Sequence, residues 1–311
     1  MSDAVVEHSR ESINKGSTSF QAASKLFEPR LREDVWRLYA WCRHCDDEID
    51  GQDHGHGMVE LSADERRARL DRLRRLTVAA LAGEPMDEPA FQAFQGAALR
   101  HGIDSRWPLE LLDGFQMDVD ERRYETPEDL YLYCWGVAGV VGVMMAHIMG
   151  ASDIKVLRRA QDLGLGFQLT NICRDIVEDA KGGRVYLPGD LLRAAGVAPT
   201  PQAVADPANA PALFDVAREL LGRAETYYDS ARIGLRALPF RSALAVAAAR
   251  GIYREIGRRI LRRGPQALAA RMSVPKPLMA WFLLRGAALA AFSRLERLTP
   301  TPERPAVWSR I

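Results

Sequence analysis

An all-α fold is the class this sequence predicts, and three observations predict it. Nearly every long segment repeats its apolar residues at helical spacing. No stretch alternates apolar and polar residues as a half-buried strand does. Prolines stand near the starts of helical runs, at Pro89, Pro108 and Pro127, where the missing amide hydrogen does no harm.

The elements follow in chain order. Residues 3–15 open as a helix, and 31–50 form a second, acidic one. Residues 51–62 read as a loop, and His54 and His56 among its glycines read as loop residues and not as a ligand set. Residues 63–82 are amphipathic and arginine-rich, and 89–101, 108–120 and 127–149 continue the helical pattern. A second acidic helix spans 154–180, and a turn follows at 182–188. Pro199, Pro201, Pro207 and Pro211 make 198–211 the one linker-like stretch. Helices at 211–236, 239–263, 264–271 and 276–297 complete the chain, with an extended tail from residue 300. The segments after the linker are too apolar to stand apart, so residues 1–311 are expected to form a single all-α domain.

The two acidic helices carry the chemistry. Asp46 and Asp50 of the first are i,i+4 partners and share a face, with Asp47 beside them. Asn171, Asp175 and Asp179 of the second form an i, i+4, i+8 row, while Leu165, Leu169, Ile172 and Ile176 mark its core side. Two carboxylates ~4 Å apart repel by roughly 4 kcal/mol at an effective dielectric near 20. Such rows therefore need a counter-charge. Hard oxygen donors suit Mg²⁺, which takes a few carboxylates together with substrate phosphates. A solvated acidic face is the plain alternative for either row alone. Arg43 and Arg174 within the motifs, and the apolar company of Trp41, Ile49, Phe167 and Leu169, argue against it.

Composition narrows the class. The 311 residues hold 42 basic and 41 acidic side chains, which gives no bulk electrostatic case for nucleic acid. The first twenty residues contain Glu7, Arg10, Glu11 and Lys15 and no apolar signal core, so a cytoplasmic location is expected. Four scattered cysteines suit a reducing compartment. Cys42 and Cys45 lie mid-helix, and Cys134 and Cys173 supply no matching second pair for zinc. Residues 278–291 are apolar but hold Arg285, and read as a core helix ahead of a membrane-surface one. Gly136, Gly139 and Gly142 recur every third residue and leave two readings open, close helix packing or room for an apolar ligand.

The ordered motifs resemble a known family. Ser17-Thr18-Ser19-Phe20, Tyr39-Ala40-Trp41-Cys42-Arg43 with Asp46 to Asp50, Tyr133 to Gly142, Gln168 to Asp179 and Gly183 to Pro188 are similar to the squalene/phytoene synthases, the head-to-head prenyl synthases. The resemblance spans essentially the whole chain and is closest to the bacterial branch that serves carotenoid pathways. It implies an isoprenoid-synthase helical bundle around a central cavity. It implies two geranylgeranyl diphosphates joined through prephytoene diphosphate to phytoene, with Mg²⁺ (Mn²⁺ as substitute) and no NADPH. Carried over by position, Asp46, Asp47, Asp50, Asn171, Asp175 and Asp179 are the implied metal ligands. Ser17, Ser19, Tyr39, Arg43, Arg174, Arg271 and Lys276 are implied to contact diphosphate, and Tyr133, Gln168, Tyr186 and Tyr253 to line the reacting centre. His44 lies about 200° around the helix from Asp46 and is expected to face away from the metal side. A farnesyl-diphosphate enzyme making squalene or dehydrosqualene, and a non-catalytic helical scaffold, are the competing readings. Peripheral membrane contact for delivery of an apolar product stays open, and the pattern sets no oligomeric state.

Overall fold

A computed structural model describes residues 3–16, 23–51 and 61–311. Among these residues helices alternate with turns and no strand occurs, as expected. Helix α1 spans Asp3–Gly16 and α2 spans Pro29–Asp50. Pro29 opens α2 at a position that needs no amide hydrogen, and Gly51 closes it with a left-handed φ of 64°. Helix α3, Ala63–Leu81, starts on a reciprocal Ser62–Glu65 capping box. Helices α4, Pro89–His101, and α5, Arg106–Val119, follow. Ser17, Ser19, Phe20, His54 and His56 lie outside the described residues.

The expected single helix over 127–149 is instead interrupted. Helix α6, Pro127–Cys134, passes through a π-helical turn, Trp135–Gly139, into α7, Val140–Ile148. The glycines decide between the two readings left open above. A Cβ on Gly136 would lie 2.7 Å from the Gly114 Cα of α5, and one on Gly142 would lie 2.6 Å from the Ala160 carbonyl oxygen. The small residues let three backbones touch, so packing is the reading that holds. Gly136→Ala is expected to destabilise by about 1–3 kcal/mol through overpacking, seen as a lower thermal midpoint. An unchanged midpoint would contradict this close approach.

Helix α8, Ile154–Lys181, is the central element, packed by α7, α11 and α12. The proline-rich stretch is no linker. It folds into α10, Pro201–Ala205, after a short α9, Gly189–Ala194, that periodicity did not reveal. Val204 is buried there, and α10 packs on α8. Helices α11, Ala210–Gly234, and α12, Phe240–Arg263, complete the wall, and 264–269 is a 3₁₀ turn and not an α-helix. Helix α13, Lys276–Leu295, corrects the core-helix expectation. Only Met279, Phe282, Gly286, Ala290 and Ser293 are buried, and the outer face lies open.

Candidate active site

The two acidic rows are drawn together by arginines. On α2, Arg43 donates to Asp46 at 3.0 Å and to Asp47 at 2.8 Å. On α8, Arg174 grips Asp175 through two parallel bonds of 2.8 and 2.5 Å. Arg271, beyond α12, reaches the same carboxylate at 3.3 Å. The turn after α8 links the two platforms. Gly183 adopts a left-handed φ of 84°, and Arg184 then crosses to Asp50 at 2.6 Å. Arg184 also lies close enough to Asp179 to oppose the rise of its pKa.

The electrostatics are those of crowded, partly desolvated acids. Burial first, then the neighbouring Asp50, raises Asp46 to about 7. Burial and Asp175 raise Asp179 to about 7. Asn171 offers an amide oxygen that is buried without a hydrogen-bond partner, and its NH₂ donates to Gln168 at 3.4 Å. Acids held this far above their ordinary range, beside an orphaned hard acceptor, fit a divalent cation with its remaining positions filled by phosphate. Among the described residues no three carboxylates converge on one point, so these are separate platforms and not a closed cage.

Asp179 gives a test with a definite sign. Its folded pKa is raised, so its contribution to stability is full below about pH 4 and is lost as pH rises through about 7. In chelator, Asp179→Asn is expected to gain about 1 kcal/mol at pH 8, since the site is partly exposed and screened. Its advantage should vanish at pH 4. Thermal unfolding at both pH values checks this, and a variant less stable than wild type at pH 8 would contradict it.

The aromatic wall forms two stacked pairs. Tyr133 and Tyr186 stack at 4.8 Å between centroids, and Phe167 and Tyr253 at 4.2 Å. Tyr39 lies close enough to Arg43 and Tyr253, and Tyr253 to Arg174, to interact electrostatically. Lys276 stands exposed at the head of α13 with no bond to Asp175 or Asp179. His44 faces away from the metal side as expected, packed edge-on to the buried Phe91 of α4 and 3.6 Å from Glu88. All four cysteines are free, and burial pushes the Cys42 and Cys45 thiols up, away from the thiolate a metal site needs.

Asp118 and Arg184 escaped the sequence reading. Asp118 accepts hydrogen bonds from Tyr186 at 2.8 Å and from Tyr133 at 3.1 Å, fixing both hydroxyls. Burial raises its pKa to about 6. It sits on the same stripe of α5 as Leu111 and Phe115, and a carboxylate on an apolar stripe was the available signal. Asp118→Leu is expected to lower turnover about 10- to 100-fold by releasing both tyrosines. An unchanged rate would remove Asp118 from the site.

Comparisons with known proteins bear on the family and the fold. Residues 13–277 match the model of the squalene/phytoene synthase family. A phytoene synthase of Pseudescherichia vulneris is 47% identical over 98% of each chain. A 15-cis-phytoene synthase of a Paracoccus species is 47% identical over 100% of this chain and 99% of that one. A dehydrosqualene synthase crystal structure superposes with a TM-score of 0.81 at 25% identity, covering 93% of this chain and 97% of that one. Sequence, helical architecture and the two joined acidic rows thus converge, and the chain belongs to the squalene/phytoene synthase family.

Proposed function

We propose that the chain is a prenyltransferase that joins two molecules of geranylgeranyl diphosphate head to head, giving 15-cis-phytoene and two diphosphates in carotenoid biosynthesis. The observation that carries this is the bridging of the acidic rows of α2 and α8 by Arg184 beside a stacked aromatic wall. Identity of 47% to phytoene synthases along the full chain supports the C₂₀ substrate over the C₁₅ one. Intact acidic rows speak against a non-catalytic scaffold.

The residues divide the work. Arg43, Arg174 and Arg271 place positive charge where the departing diphosphate gathers negative charge. Mg²⁺, with Mn²⁺ as substitute, held by Asp46, Asp50, Asn171, Asp175 and Asp179 with Asp47 assisting, would supply Lewis-acid neutralisation of that same charge. The first C–O bond breaks to an allylic cation. The double bond of the second molecule attacks it, and proton loss closes the cyclopropane of prephytoene diphosphate. A second ionisation, rearrangement and proton loss give the central double bond of phytoene, so no hydride and no NADPH enter. Tyr133, Tyr186, Phe167 and Tyr253 present ring faces that favour the cations and keep water away. Diphosphate or a tyrosine hydroxyl takes the protons. Four free cysteines support a cytoplasmic location.

Competition between geranylgeranyl and farnesyl diphosphates, with Mg²⁺ and with or without NADPH, tests the assignment. Phytoene should dominate in both cases. A C₃₀ product, or one that needs NADPH, would transfer the chain to the squalene or dehydrosqualene reading.

A further inference from the structure

We propose that residues 299–311 are a positioning strap for the π-helical turn beside Tyr133, and that the strap keeps water from the cation of the reaction proposed above, on which this role rests. The turn needs holding. The Val140 amide donates to the Trp135 carbonyl, five residues back, so one extra residue is let into the helix. Such turns are rare, occur as single insertions and gather at functional sites. Relaxation to an ordinary α-helix would rotate α6 against α7 by about 100°. Helix α7 is locked on α8 through Gly142, so the rotation would fall on α6 and carry Tyr133 off its stack with Tyr186.

Residues 299–311 form no helix, and side chains hold them in place. Arg304 grips both oxygens of Asp162 on α8, at 2.9 and 2.5 Å. Asp162 is fully buried and takes a further bond from the Ser230 hydroxyl of α11. A guanidinium fork on a buried carboxylate fixes both position and direction. Gln161, also fully buried, accepts from the Arg310 and Ile311 amides at 3.0 and 3.3 Å. Neither Gln161 nor Asp162 belongs to the acidic row, which lies further along α8.

Three contacts of this one segment converge on the turn. Asp162 stands two residues before Gly164, where a Cβ would lie 2.7 Å from the Gly139 Cα at the end of the turn. Arg310 lies 3.9 Å from Glu110 of α5, and Glu110 accepts the indole hydrogen of Trp135 at the start of the turn. The Trp308 ring lies 6.2 Å from that of Tyr131, two residues before Tyr133. A clamp for α8 alone would need only the Arg304–Asp162 pair. Trp308 and Arg310 reach two other helices, and both lead to the same turn.

The consequence is chemical. With the strap loosened, Tyr133 leaves the aromatic wall and water reaches the allylic cation. The water oxygen then forms the new C–O bond, its proton passes to the released diphosphate, and a prenyl alcohol leaves in place of the joined product.

Two measurements on the full chain test the strap, with Arg304→Ala and Trp308→Ala as variants. Should Arg304→Ala fail to fold because Asp162 is left buried and unpaired, Trp308→Ala carries the test. Leu70→Ala, in the core of α3, which packs on α2, α4 and α5, is the control for a plain loss of stability. Hydrogen exchange over residues 135–143 should quicken about tenfold in the strap variants. The ratio of geranylgeraniol to phytoene should rise about tenfold in them, while KM changes less than about twofold. Leu70→Ala should lower the thermal midpoint and leave the ratio at the wild-type value, because unfolded protein makes neither product. Unchanged exchange over 135–143 in the strap variants would overturn the proposal. So would faster exchange with a wild-type product ratio, or an equal rise of the ratio in Leu70→Ala. A wild-type chain that makes no phytoene would count against the proposed function instead, and the exchange measurement would still decide whether the strap holds the turn.

Discussion

Asp175→Ala is expected to abolish product, by about 10³-fold or more, with helix content unchanged. Asp175 is the carboxylate on which Arg174 and Arg271 both converge, at 2.5 and 3.3 Å. Its loss removes an oxygen from the metal platform and sets two guanidiniums adrift from the position they hold. Asp46→Ala is expected to act as severely from the other helix, because it releases Arg43 from one of its two partners and removes a carboxyl that burial and Asp50 raise to about 7. Neither side chain is part of the apolar core, and each removes a like-charge repulsion, so folding should survive. Groups that act as one unit are not additive. The double variant should therefore be little worse than either single one. Product analysis beside circular dichroism checks both, and near-normal turnover in either single variant would dissolve that helix as a metal platform.

Removal of metal is expected to have a comparable effect. EDTA should bring turnover below about one-thousandth, and Mg²⁺ or Mn²⁺ should restore it. The acids supply a second readout. Asp46 and Asp179, both near pKa 7, hold protons at neutral pH that a divalent cation must displace. Titration with Mg²⁺ in weak buffer at pH 7 should therefore release protons, and Asp179→Asn should release fewer. Full turnover in metal-free buffer, or binding without proton release, would contradict this account of the site.

What the sequence disclosed and what it hid divide along physical lines. Helical periodicity found α2 and α8 and put Asp46 with Asp50, and Asp175 with Asp179, on shared faces. These are local facts, fixed by 3.6 residues per turn. The same logic turned His44 away correctly. Arg184 stayed hidden because its partner Asp50 is distant in sequence and only the Gly183 turn brings them together. Asp118 stayed hidden because its two tyrosine partners come from α6 and from the turn after α8. Periodicity also continued through 127–149, since a π turn inserts no proline and changes no composition. Prolines at 199–211 signalled a linker, yet Pro201 serves as a first helical residue of α10. In α13, apolar composition suggested burial, whereas which face meets the protein is a tertiary fact.

Reaction stoichiometry tests the central claim most directly. Purified chain, geranylgeranyl diphosphate and Mg²⁺, without any nicotinamide nucleotide, should yield one phytoene for every two diphosphates released. Both ionisations would then occur at one bridged site and end in proton loss. Release of diphosphate with geranylgeraniol as the only organic product would contradict the account, because it would mean that the site ionises a prenyl diphosphate but does not join two.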